Sequence, residues 1–468
     1  MEGIAIVLGA ASLVFAAAMF LRGGLLGGSL AVLLAGCCLG YPLFNVPVRP
    51  MPLTLDRVLW VVLILQYAIW RQLGWTARRP LGATEYLLSA FVLLLMASTF
   101  THDWEVRNAQ PLSRLVFYFL MPLGMYWVAR QTSLAERGVL AMFAVMGLFG
   151  VYLAVTAIAE IQEAWWLVYP TYVRSKAYVD YFGRGRGPLL DPVACGFYQM
   201  AGLAGGLMWW PRVRRAGRVI LLVLAGLMAA GLYATLTRTV WMGAGVGLLV
   251  LLALVLPRAW SIPMFLAGAV SAAALVATSW ERVVSFKRDK QLTAEETGDS
   301  ARLRPMLATI AWKMVLDRPL WGCGFGQYAD EQAPYAADRT ADMPLEKARP
   351  YPQHNAFLAL LTETGLASMA LYAAVLVLWL RTAWRLWRSG AGPLWVRQQG
   401  LFFLVLLAFY LPNAMFHNPN FTPGLNMLLF FLAGVTEGLR AHGDPGFAAE
   451  RPQDASAARS ALQLRPVV

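Results

Sequence analysis

Residues 217–256 read GRVILLVLAGLMAAGLYATLTRTVWMGAGVGLLVLLALVL. Two apolar runs, 217–236 and 239–256, flank a short polar turn. Each is long enough to cross a bilayer as a helix, which takes about 20 mostly apolar residues. Lipid offers no hydrogen bonds to an open sheet edge, so each crossing must be helical. Working outward, further candidate spans lie near 2–19, 23–43, 57–73, 83–100, 112–129, 138–158, 192–210, 260–279, 354–380, 399–416 and 421–437. The expectation is an all-α, polytopic membrane helix bundle of about 12 transmembrane helices. Twelve rather than thirteen requires that one candidate before residue 43 or after 399 does not cross.

Composition agrees with this reading. Of 468 residues, 59% are apolar and 14% charged, with a mean hydropathy of +0.55. A soluble domain carries closer to one quarter charged residues. The net charge of +13 sits mainly in short loops between apolar runs. Positive-inside logic accounts for it without a nucleic-acid partner. The four cysteines have neither CxxC nor metal-ligand spacing. The first apolar stretch lacks a secretory cleavage signal and is expected to be retained.

Arginine clusters at 212–218, 71–79 and 381–397 are placed on the cytoplasmic side. Counting spans from each puts 159–191, the turn near 237–239 and 280–353 on the outer side. The chain then divides into an N-terminal transmembrane bundle (1–279), a periplasmic loop containing short helices (280–353), C-terminal transmembrane helices (354–440) and a disordered cytoplasmic tail (441–468). A loop of that length acts as a lid or a binding element, or is disordered.

The polar residues that could carry chemistry collect on the outer side. Arg238, in LTRTVWMG, either marks a turn by snorkelling or offers a fork of donors to a phosphate. Arg186 lies in GRGRGPLLDPVACG, where Asp191 is placed to cap a helix. Arg302 and Arg304 open a helix expected over 303–317, and Arg288 belongs to the basic run KRDK at 287–290. Trp321, Phe325 and Tyr328 are expected as interfacial rings, around glycines that allow a tight backbone approach. His354, followed by Asn355, stands where a helix enters the membrane. Its ordinary pKa suits a general base, and a structural donor role is the alternative. Glu363, nine residues on, is too far along the helix to be its partner. His417 shares the site or caps a turn. The spans are nearly free of charge, with Glu363 and Glu437 the main exceptions. That favours an enzyme acting on a lipid-linked anion over a conduit, which needs polar groups near mid-bilayer.

These segments together resemble the O-antigen ligase and polymerase superfamily of bacterial membrane glycosyltransferases. The likeness is most specific over SARLRPMLATIAWKMVLDRPLWGCGFGQY (300–328) and QHNAFLALLTETG (353–365). It is weaker at LTRTVWMG (236–243) and RGPLLDPVACG (186–196), where Asp191-Pro192-Val193 replaces the usual Pro-Asn pairing. The resemblance implies a GT-C-type bundle in the bacterial inner membrane with its active site facing the periplasm. It implies a glycan donor on undecaprenyl pyrophosphate, and neither a cofactor nor a metal. Catalytic roles carry over to Arg238, Arg304 and His354. Arg302 competes with Arg304 for the loop role, and Arg186, Arg288, Asn355, Tyr328 and His417 are expected to bind substrate. The favoured acceptor is lipid A–core oligosaccharide, which makes the chain a ligase. An O-antigen polymerase, a protein O-oligosaccharyltransferase and a membrane transporter are the alternatives. No nucleic acid is expected, and the oligomeric state stays open.

Overall fold

The structure, a computed structural model, describes residues 20–440 apart from 21, 37, 41, 48–51, 77–78, 105–109, 176, 179–180, 258, 261, 264–265, 269, 271–293, 341, 350, 352, 391 and 419–421, with backbone alone for 294–302. The expected span at 2–19, the KRDK run with Arg288, residues 271–279 and the 441–468 tail lie outside the described residues.

Helix follows helix along the chain: α1 (Arg22–Gly36), α2 (Leu55–Gln72), α3 (Ala83–Phe100), α4 (Pro111–Gln131), α5 (Glu136–Ile161), α6 (Pro192–Leu207), α7 (Arg215–Ala234), α8 (Arg238–Val255), α9 (Ala294–Asp317), α10 (Ala356–Arg388), α11 (Leu394–Phe416) and α12 (Pro423–Gly438). The described strands are a two-residue antiparallel pair, Asn45–Val46 with Leu53–Thr54. Among the described residues seven helices, α3, α4, α5, α7, α8, α10 and α11, are long and apolar enough to cross a membrane. The chain is thus an all-α polytopic membrane protein. The quoted stretch forms α7 and α8, with Arg238 as the first residue of α8.

Packing sorts the helices into inner and outer. The most apolar window of α11 is 72% buried inside the protein, against 17% for α7. Therefore α11 is central and α7 faces lipid. Among lipid tails no hydrophobic force draws helices together, so small residues let backbones approach. At the α5–α6 crossing, a Cβ added to Gly202 would stand 2.5 Å from the Gly150 Cα.

The bundle holds more charge than the sequence reading expected. Glu85 receives Arg130 Nε at 2.7 Å and the Tyr126 hydroxyl at 2.5 Å, and Glu160 faces Arg186. Arg114 grips Glu363 through two hydrogen bonds of 3.0 and 3.1 Å. Sequence windows average such residues away. Each pair sits near a helix end and supplies its own counter-charge, which keeps it tolerable.

α10 is broken. At Gly365 the backbone turns to φ 74°, ψ −175°, so the helix cannot continue its own hydrogen bonds. The segment 319–324 takes them over. Cys323 and Gly324 donate their N–H groups to the Thr362 and Glu363 carbonyls at 2.9 and 2.8 Å, and Leu366 N–H donates to Pro319 O at 2.9 Å. Irregular backbone at this depth survives because protein satisfies it.

Candidate functional site

The site is assembled at the end of the bundle where α5, α7 and α11 finish and α6, α8, α10 and α12 begin. Gly185 N–H bonds to Ala234 O at 2.9 Å, tying the 162–191 loop to the end of α7. Asp191 caps α6, its Oδ1 accepting from Val193 and Ala194 N–H at 2.7 and 2.8 Å. Its other oxygen faces His417 Nε2 at 3.7 Å and accepts from the Thr422 hydroxyl at 3.4 Å. Burial pushes this carboxyl up, but His417 and the two helix amides outweigh it and hold it below the ordinary value.

His417 ends α11, where its N–H donates to Asn413 O at 2.7 Å. Its ring lies nearly parallel to that of His354, with centroids 6.5 Å apart. His354 is fixed by its neighbour: Asn355 caps α10, accepting from Leu358 N–H at 2.9 Å. Burial, then the charges of His417 and Arg304, pull the His354 pKa down to about 4. The imidazole is therefore neutral at neutral pH and able to accept a proton.

Arg304, on α9, is half-buried, and that burial lowers its pKa. Arg238 is close enough to Arg304 and Arg184 to feel both charges. Three guanidiniums and two histidines thus converge with one carboxylate. The surplus positive charge matches a polyanion. Of the threonines beside Arg238, Thr235 and Thr237 donate to backbone carbonyls, while the buried Thr239 hydroxyl has no partner among the described residues.

The sequence-predicted residues fare differently. Arg238, Arg304, His354 and His417 come together. Asn355 is present as the helix cap that places His354. Arg186 is 1% exposed and turned inward, donating to Tyr178 O and Val173 O at 2.5 and 3.0 Å beside Glu160. Of the two arginines in GRGRG, Arg184 is the one that reaches the cluster. Tyr328 is 5% exposed and Phe325 1%, so neither is an interfacial ring, whereas Trp321 is 67% exposed. Tyr328 instead joins a small apolar core with Met306, Leu307, Ile310, Met314 and Leu345. That core makes the described loop a folded substructure, braced by Arg318–Glu331 at 2.9 Å, Lys313–Asp338 and Tyr335–Asp317. The helix expected over 303–317 begins earlier, at Ala294. Arg302 falls within it, but its side chain, like Arg288, lies outside the described residues.

Sequence reasoning missed Arg184 and Arg114. The alternation in GRGRG was a usable signal for the first, but nothing local marked Arg114 as the partner of Glu363. Among the described residues, no three His, Cys, Asp or Glu side chains gather where a metal ion could be held.

No curated protein matches the chain. Residues 223–373 match the family model described as O-antigen ligase. This span runs from α7 through the folded loop to just past the break in α10, so the segment that carries Arg238, Arg304 and His354 is the part of the chain similar to the O-antigen ligase family.

Proposed function

We propose that the chain is an inner-membrane O-antigen ligase that moves O-antigen polysaccharide from undecaprenyl pyrophosphate to lipid A–core oligosaccharide at the periplasmic face. The observation that carries this reading is that Arg304 stands near a neutral, half-buried His354, while Arg238 stands near both Arg304 and Arg184. Its frame would be a GT-C-type bundle of about twelve crossings, with the 280–353 loop on the periplasmic side.

An acceptor sugar hydroxyl gives its proton to His354, and its oxygen attacks the anomeric carbon from the side opposite the pyrophosphate. The anomeric C–O bond breaks with inversion, and the carrier pyrophosphate leaves with the electron pair. The guanidiniums of Arg238, Arg304 and Arg184 meet the charge that grows on it. They supply the counter-charge themselves, so the reading is metal-independent. Arg186 and Asn355 position, and His417, anchored on Asp191, flanks the base.

A base with a pKa near 4 is weak at neutral pH. The donor corrects this on binding. Its pyrophosphate offsets the arginine charge beside His354, which raises the imidazole's affinity for a proton as the reaction needs it.

Purified protein is given undecaprenyl pyrophosphate-linked glycan, core–lipid A and a chelator, beside a His354→Ala control. Long glycan on core–lipid A that survives chelation and vanishes in the control supports the proposal. Lengthening of the carrier-bound glycan instead makes the chain a polymerase. Glycan on protein serines makes it a protein O-oligosaccharyltransferase, and the absence of any product where an established ligase works favours a transporter.

A further inference from the structure

The opposite end of the bundle carries a second basic cavity that the transfer reaction does not use. It has a volume of about 480 Å³ and opens between the last turn of α10 and the end of α12. Its lining includes Arg385, Arg388 and Arg440, together with Trp384, Thr382 and Ser389. Arg385 lies 20 residues beyond the break at Gly365, roughly 30 Å at the helical rise, with His354 on the other side of that break.

The cavity's charge is unbalanced. Glu437 is the carboxylate beneath it, and its oxygens already accept from Thr382 at 2.8 Å and Thr84 at 3.2 Å, with Arg440 at 3.9 Å. Among the described residues, no carboxylate lies within ion-pair distance of Arg385 or Arg388. Those two stand three residues apart, on one face of α10. Arg388 lies over the Trp384 ring at 5.7 Å, a contact that orders its guanidinium beside the cavity. Arginines that only set orientation need not converge from two helices on one concavity; these do.

We propose that this cavity binds the phosphate headgroup of an anionic phospholipid from the leaflet opposite the transfer site. Arg385 and Arg388 hold the phosphate oxygens, Arg440 closes the third side, and Ser389 and Thr382 meet the polar end of the headgroup. Basic pockets between helices at this level suit such headgroups.

The test uses the full chain, delipidated in mild detergent and titrated with phosphatidylglycerol, phosphatidylethanolamine or inorganic phosphate while native mass spectrometry counts bound lipid. The expected result is retention of phosphatidylglycerol over phosphatidylethanolamine, undiminished by equimolar inorganic phosphate. Binding should be about 30-fold weaker in an Arg385→Gln/Arg388→Gln variant. An Arg385→Lys/Arg388→Lys variant keeps the charge and should restore most of it, even if the glutamine variant folds poorly. Equal retention of both lipids, or unchanged binding in the glutamine variant, overturns the proposal. Displacement of the lipid by inorganic phosphate would make the ligand a free anion and overturn the lipid assignment. Transfer activity is read separately, so this outcome and that of the ligase reading are independent.

Discussion

At the scale of the residue, His354 and the two arginines of GRGRG carry separable predictions. Replacing His354 by Ala removes the proton acceptor and should lower turnover about 10²–10⁴-fold while leaving donor binding intact. The pH dependence is more specific. In the free protein the imidazole, near 4, loses its ability to accept a proton only as pH falls through that value. With pyrophosphate bound its pKa rises, so the acid limb of kcat should lie at higher pH than that of kcat/KM. Coincident limbs would mean that the donor does not tune the base. Arg184→Gln should reduce turnover with normal folding. Arg186→Gln should instead leave the Tyr178 and Val173 carbonyls without their donor, at a cost of about 1–3 kcal/mol each, and appear as lost folded protein in a detergent-stability assay. The histidines and Arg238 were legible in the sequence because each is a rare polar residue at the edge of an apolar run. The division of labour between Arg184 and Arg186 was not. Alternate residues of an irregular loop face opposite ways, and that depends on Glu160 and two distant carbonyls.

At the scale of the element, the break in α10 is the decisive feature. A methyl group at Gly365 would stand 2.1 Å from Leu320 O, in a backbone region that side chains strongly disfavour. Gly365→Ala should therefore release the 319–324 segment and expose it to protease, with loss of transfer. Gly390→Ala, where an added methyl meets nothing within 4 Å, is the matched control. Sequence reading expected close approach at the PLWGCGFG glycines and marked TETG as part of the family likeness. It did not join the two, because the link runs through main-chain hydrogen bonds that leave no periodic trace. Arg114 and Glu363 clamp the same junction, nearly 250 residues apart in the chain, and only the fold brings them together.

At the scale of the whole molecule, the charge distribution gives the bundle a direction. Arg212, paired with Glu136 and Gln398, shares one end with the Arg385–Arg388 cavity, and the transfer site occupies the other. An impermeant thiol reagent should label Asp338→Cys from the periplasm and Ser389→Cys only after the inner membrane is opened, in a background lacking the native cysteines. The reverse pattern would invert the topology. The helical bundle was legible because hydropathy is a property of whole segments. The folded loop was less so, since its small core is built from scattered side chains. The junction at Gly365 also dictates an order of biogenesis. When α10 first enters the bilayer, the Thr362 and Glu363 carbonyls have no donors until the stretch at 319–324 arrives from the far side. Insertion of that helix and closure of the loop are thus one late event, and a nascent chain stopped short of it would hold every arginine of the site without yet having a site.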